Sequence, residues 1–419
     1  MRRIGRAARL LETGSFFALL LLLPFSKAAV ELSFGGLLIG WLIERLDPAT
    51  RADTIWLSRA LRPLAGALLV FFAVCAASVL VSAFPVKSLH GLIGKWAEYL
   101  LLLVIAADVS RRPAAAKWGL PVLAWSSLGV AAYGVIQILF VLNTRVYDYH
   151  PLWYYRRMLG PYETPIDLAT YLMVVIFVLL GYAITRRGLV RWGVGGLIAL
   201  HAACLANTHA VGAWLGACAG LLVMSAVSPR LRRHGLVLLA LAAVVATVGL
   251  SRQGRLGQLA ALSDIGVQDR WAMWQAALGM IRDRPILGHG VNTFMANYLT
   301  YWVSGERQPR YAHNCYLQVA AETGLIGLAI FLILLGLLFA RLVSGLAPPA
   351  AVRPRGQRAA LPAREWSEAQ FLVVGGLGGL VAFAIQAGLD TNFYSLRQAA
   401  LFWMLAGLAI GWRHRRQPS

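Results

Sequence analysis

The chain has 419 residues, of which 59% are hydrophobic and only 14% charged, and its formal net charge is +21. Soluble domains carry about 25% charge, and a bilayer-spanning helix takes roughly 20 apolar residues, so this composition supplies about a dozen spans with little left for a soluble domain. A secreted enzyme, a disordered chain and a cytosolic nucleic-acid binder are excluded; no nucleic acid is expected, because the basic excess is spread along the chain as in the cytoplasmic loops of a membrane protein.

In chain order, Arg2, Arg3, Arg6 and Arg9 precede an apolar run from Phe16 to Phe25. Ser26-Lys27-Ala28 resembles a signal-peptidase site, but a polytopic chain is expected to begin with an uncleaved anchor. Twelve hydrophobic segments are predicted as spans: 11–27, 30–44, 64–83, 89–107, 118–142, 166–185, 192–207, 210–227, 235–250, 315–340, 370–389 and 396–412. The expectation is an all-α polytopic membrane protein, one transmembrane domain over 1–419. With the N-terminus in the cytoplasm and strict alternation, most of the 39 Lys and Arg fall on the cytoplasmic side, and both termini lie there. Lys95 and Glu98, three residues apart within a span, are expected to pair. Gly212, Gly216 and Gly220 form a small-residue stripe suited to close helix packing. Cys75, Cys204, Cys218 and Cys315 show no CxxC spacing and predict neither a zinc site nor a disulfide framework.

Two outer segments stand apart from the short connections. Residues 143–165 form a small loop rich in Tyr, Trp and Arg, and residues 251–314 form one far longer than usual connections. The cytoplasmic stretch 344–368, with its Pro, Ala and Arg, reads as a linker. Inside the long loop, Trp271, Trp274, Leu278 and Ile281 recur at helical spacing and predict a helix over 267–284 with these four on one face, ended by Pro285. A second short helix is expected over 292–302, with Phe294, Tyr298, Tyr301 and Trp302 on one side. Such amphipathic helices, rich in Trp and Tyr, suit a lid lying on the membrane surface. Asn314, Gln318 and Glu322 follow at four-residue spacing and form a polar stripe entering a span, which marks either a buried hydrogen-bond network or a functional cavity.

The outer chemistry is rich in arginine: Arg145, Arg156 and Arg157 in the first loop, and Arg252, Arg255, Arg270, Arg282, Arg284, Arg307 and Arg310 in the second. Arginine binds phosphate bidentately and keeps its charge, so a phosphorylated lipid substrate fits. The competing reading is headgroup contact or pairing with Asp264, Asp269, Asp283 and Glu306. Outer carboxylates such as Asp148, Glu163 and Asp264 show no paired-acid spacing, and no metal site, GxSxG elbow or P-loop is present. No metal and no cofactor are expected. His313 is the candidate general base, since a neutral imidazole accepts a proton at neutral pH; its competing reading is a structural histidine at a helix start.

The stretch Arg270 to Gly327 resembles the shared domain of O-antigen ligases and O-antigen polymerases. The resemblance rests on Arg270-Trp271, Asp283-Arg284-Pro285-Ile286-Leu287-Gly288, Asn292-Thr293-Phe294, His313-Asn314 and Glu322-Thr323-Gly324-Leu325-Ile326-Gly327. Upstream, Arg157-Met158-Leu159-Gly160 followed by Pro165 is similar to the family's Arg-x-x-Gly segment. One departure is that Gly212-Ala213-Trp214 follows Ala210-Val211 where many relatives carry a Ser-Arg pair; His209 is nearby.

The resemblance implies a GT-C-like architecture and glycosyl transfer on the periplasmic face of a bacterial inner membrane. The donor is a glycan on undecaprenyl diphosphate and the ligase acceptor is the lipid A–core oligosaccharide. On this reading His313 deprotonates the acceptor hydroxyl and a single displacement inverts the anomeric centre. Arg270 and Arg157, with Arg284 or Arg310, hold the diphosphate leaving group. Asn314 and Glu322 are supporting residues that orient His313 or hold the tenth span. The enzyme is expected to act as a monomer in the bilayer. The alternatives, in order, are an O-antigen polymerase, a protein O-oligosaccharyltransferase and a lipid transporter. The small first loop favours the ligase over the polymerase. The chain ending just after the twelfth span argues against the oligosaccharyltransferase, and the outer clustering of polar groups argues against transport.

Overall fold

A computed structural model describes residues 2–46, 54–140, 157–252, 265–304, 310–344 and 366–414, with Gln308 and Leu346. Among these residues every regular element is helical. In order they are α1 (Arg2–Leu22), α2 (Lys27–Arg45), α3 (Arg62–Leu80), α4 (Pro85–Gly91) running through a π-helical turn (Leu92–Ala97) into α5 (Glu98–Val109), α6 (Pro113–Leu139), α7 (Pro165–Thr185), α8 (Gly188–Asn207), α9 (Val211–Val227), α10 (Pro229–Arg252), α11 (Ile265–Asp283), α12 (Phe294–Asn297), α13 (Cys315–Val343), α14 (Glu368–Gln386) and α15 (Leu396–Arg413). A helix therefore lies over each of the twelve predicted segments. Six of them, α3, α6, α7, α8, α13 and α14, are long and apolar enough to cross a membrane, and α9 is apolar but shorter. The linker expected over 344–368 and the first loop up to Arg156 fall almost wholly outside the described residues.

The helix starts follow local chemistry. Ser26 accepts from the Ala29 amide ahead of α2, and Thr164 accepts from the Asp167 amide with Pro165 in the first turn of α7. Ser367 and Gln370 form a reciprocal capping box on α14. Each satisfies amide donors that have no partner inside the helix.

α7, α14 and α15 are buried along most of their length and form the centre of the bundle. Small residues allow them to pack closely. A Cβ at Gly216 would stand 2.4 Å from the Ala382 carbonyl, and one at Gly220 would stand 2.6 Å from that of Gly378, so the glycine stripe of α9 lies directly on α14. Phe71, Trp96, Phe331 and Phe393 join α3, the π turn and α13 in an aromatic cluster, with the Phe71 and Trp96 centroids 4.9 Å apart. At one end of the bundle Arg112 bridges Glu12 at 2.6 Å and also Glu44. There too Asp108 receives Arg45 at 2.6 Å and the Thr54 hydroxyl at 2.9 Å.

The predicted pair between Lys95 and Glu98 is replaced by another contact. The π turn widens the helix where Lys95 sits, and its ammonium donates to Asn292 Oδ1 at 2.8 Å. Lys95 thus ties this helix to the long loop rather than to its own neighbour.

Candidate active site

The long loop is built on α11. Its packed face is Met273, Ala276, Ala277 and Met280, joined with Phe294, Tyr298, Ala312 and Ala321 in a second core. The predicted helix is present, and its aromatic face is not the packed one: Trp271 is 58% and Leu278 38% exposed, with Trp274 and Ile281 half-buried. Small Ala and flexible Met let the helix lie close on α13, while the Trp271 indole stays outside, where Trp is at home in a membrane interface. The second predicted helix is shorter than expected, only α12 and a single 3-10 turn (Tyr298–Thr300). Tyr301 and Trp302 nevertheless pack on the same core.

The segment after α11 clasps α13. Gly324 has φ +73° and ψ 179°, which breaks α13. Groups freed by the break are taken up by the loop. The Leu325 amide donates to the Pro285 carbonyl at 2.7 Å, His289 to Ala321 at 3.0 Å and Gly290 to Glu322 at 2.9 Å. The buried Glu322 carboxylate then accepts from the Asn292 amide at 2.7 Å, the Phe294 amide at 3.1 Å and Gln318 Nε2 at 3.2 Å. The Pro-x-Leu-Gly and Glu-x-Gly motifs are therefore the two halves of one structural clasp, and the polar stripe serves as a hydrogen-bond network. Asn314 caps α13, its Oδ1 accepting from Tyr316 and Leu317 amides.

His313 stands at the mouth of this assembly with φ +44°. Its Nδ1 lies 3.2 Å from Asp390 Oδ1. Asp390 sits in the connection between α14 and α15, which is pinned to the start of α13. The Cys315 amide donates to Ala387 at 2.8 Å, and its thiol to the Asp390 carbonyl at 3.1 Å. Burial alone would raise the Asp390 pKa. The His313 hydrogen bond, the charges of His313 and Arg270, and the Thr391 amide together hold it below the ordinary value. An ionised carboxylate only accepts, so Nδ1–H of His313 is the donor, and in the neutral imidazole Nε2 carries the free lone pair. The His313 side chain is 34% exposed, open to a substrate.

The four predicted phosphate-binding arginines separate. Arg270 acts on the dyad through its charge at Asp390. Arg310 joins from the same side, Nη1 lying 3.4 Å from Oδ2 of Asp269, the residue before Arg270. Arg157 is buried and donates from Nε to the Thr208 carbonyl at 2.7 Å, fixing its segment to the end of α8. Arg284 donates from Nη1 to the Val81 carbonyl at 2.8 Å, below the clasp. Arg145, Arg156, Arg255 and Arg307, with Asp148, Asp264 and Glu306, lie outside the described residues. Among the described residues no group of three or more His, Cys, Asp and Glu is disposed to hold a metal ion.

Sequence reasoning missed Asp390. Its signal was a lone carboxylate in a short connection that the alternation of spans places on the same side as His313.

Residues 196–332 match the family model described as O-antigen ligase. The chain is also similar to the exopolysaccharide production protein ExoQ of Rhizobium meliloti (strain 1021), 24% identical over 303 residues that cover 66% of this chain and 68% of that protein. The matched family segment contains α11, the clasp, His313 and Glu322, and leaves Arg157 and Asp390 outside. The two findings support the O-antigen ligase/polymerase family, and with it a membrane enzyme of polysaccharide biosynthesis.

Proposed function

We propose that the protein is an O-antigen ligase of the bacterial inner membrane. It crosses the bilayer twelve times with both termini in the cytoplasm, in a GT-C-like arrangement, and carries its active site on the periplasmic face. It transfers a glycan from undecaprenyl diphosphate to the lipid A–core oligosaccharide. The observation that carries the reading is the contact between His313 and Asp390 beside Arg270, with His313 and Arg270 inside the segment similar to the family and Asp390 brought to them from outside it.

Nε2 of His313 takes the proton of the acceptor hydroxyl as its oxygen attacks the anomeric carbon. Asp390 fixes the ring and stabilises the imidazolium that forms. The carbon–oxygen bond to the diphosphate breaks from the opposite face, so the configuration inverts. Arg270, with Arg310 beside it, balances the charge that develops on the leaving diphosphate, in place of a metal ion. Arg157 and Arg284 act at the edges of the site, holding the α8 end and the clasp. Both lipids enter from the bilayer beneath the outward-facing indoles of α11.

Lipopolysaccharide from a strain lacking this gene tests the proposal. With a ligase, full-length glycan disappears from the lipid A core while polymer still accumulates on the lipid carrier. The wild-type gene restores it and His313→Ala does not. The second reading is a polymerase, with another lipid-linked glycan as acceptor, and the relative named for exopolysaccharide production favours it. A core bearing a single repeat unit would establish that reading instead.

A further inference from the structure

At the end of the bundle away from His313, α7, α8, α9, α10 and α14 part around a cavity of about 760 Å³. That volume lies within the range of pockets that hold small organic ligands. Its walls are apolar, with Ile184, Ile198, Leu221, Met224 and Phe371 among them. Its rim carries Arg187, Arg191, Trp192 and Trp366. The one rim carboxylate, Glu368, is engaged by Arg186. Neither Arg187 nor Arg191 has an ion-pair partner among the described residues, and both are exposed.

We propose that this cavity binds an anionic phospholipid, with its phosphate on Arg187 and Arg191 and an acyl chain between α8 and α10. An apolar cleft between membrane helices is filled by hydrocarbon more readily than by water. Basic pockets between helices on the cytoplasmic side suit anionic headgroups, and Trp192, 79% exposed, suits the headgroup level. The basic chain that leads into Trp366, with Arg353, Arg355, Arg358 and Arg364, would be repelled by the same rim, which favours the lipid as occupant. The site is independent of the reaction proposed at His313.

Gly195 lines the cavity, and a Cβ built there meets nothing within 4 Å. Gly195→Leu therefore narrows the cleft without displacing backbone, and leaves both arginines in place. The full chain is reconstituted in nanodiscs of equal phosphatidylglycerol and phosphatidylethanolamine, then released, and retained lipid is counted by native mass spectrometry. Wild type should retain phosphatidylglycerol in preference. The R187Q/R191Q double variant should lose that preference about thirtyfold, at roughly one interaction of surface strength per arginine. Gly195→Leu should retain less of both lipids than wild type, with thermal unfolding unchanged in both variants. Equal retention of the two lipids by wild type overturns the proposal. So does a preference that survives in the double variant, or a wild-type cavity that retains no lipid because the chain's own basic segment occupies it. If Gly195→Leu does not fold, the double variant, altered only at exposed positions, still decides.

Discussion

Asp390 keeps a negative charge in a place where burial alone would remove it, and three groups share the work: His313, Arg270 and the Thr391 amide. Asp390→Asn preserves the shape but offers an amide N–H or a weaker acceptor to Nδ1. Transfer should fall about 10²-fold or more, the scale of general-base catalysis, with acceptor binding little changed, as an initial-rate assay on purified protein will show. Because the folded pKa lies below the unfolded one, the stability contributed by this carboxylate is present above the ordinary value. It is lost only as pH falls through the lower folded value. His289 behaves in the opposite sense. Burial, with help from the Arg284 charge, holds its imidazole below the ordinary range, against the Met280 carbonyl and Asp283. As pH falls through about 6.5 the unfolded chain takes up a proton that the folded loop resists, so acid should destabilise the clasp. His289→Gln can still donate to Met280, and should flatten the fall in melting temperature between pH 7.5 and 5.5.

At the scale of elements, the break in α13 is the most exacting feature. A Cβ at Gly324 would come within 2.0 Å of the Ile286 carbonyl, on a backbone that L residues avoid. Gly324→Ala should cost at least about 1–3 kcal/mol from the backbone alone, visible as a lower melting temperature and poorer yield. α11 shows why a helix and its apolar face could be read from sequence and its packed side could not. Trp271, Trp274, Leu278 and Ile281 gave the helix by their spacing, and a large apolar face need not turn to the core where the solvent is itself partly apolar. Ala276, wholly buried, carried no such signal. Ala276→Leu should therefore destabilise by about 1–3 kcal/mol through overpacking, whereas Trp271→Ala should leave the melting temperature nearly unchanged. The site was legible in the same uneven way. His313 and Arg270 came from motif residues close in sequence, while Asp390, 77 residues from His313, is brought in by the packing of α14 and α15 against the start of α13.

For the whole molecule, positions of helices followed hydrophobic runs because the bilayer requires each backbone group to be satisfied within its own segment. Which helices lie at the centre did not follow, since α7, α14 and α15 are scarcely more apolar than their neighbours and are set apart by small residues that admit close contact. The proposed topology makes two positions diagnostic. Leu189, 90% exposed at the start of α8, and Leu299, 42% exposed in the outer loop, should fall on opposite sides. In a variant with the native cysteines replaced, Leu299→Cys should react with an impermeant maleimide in whole cells. Leu189→Cys should react only after the membrane is opened.

The clasp also orders events during synthesis. Residues 285–292 leave the ribosome before α13, yet their carbonyls and amides are the partners that the broken helix needs around Gly324. Until they meet, α13 has backbone groups with no partner, at a cost of several kcal/mol each in hydrocarbon. On the proposed topology the long loop must therefore already be across the membrane, and close at hand, when α13 arrives. The part of the chain that follows, which delivers Asp390, can be seated only afterwards, so on the proposed reading the catalytic pair forms late and a copy that stops short of it is inert.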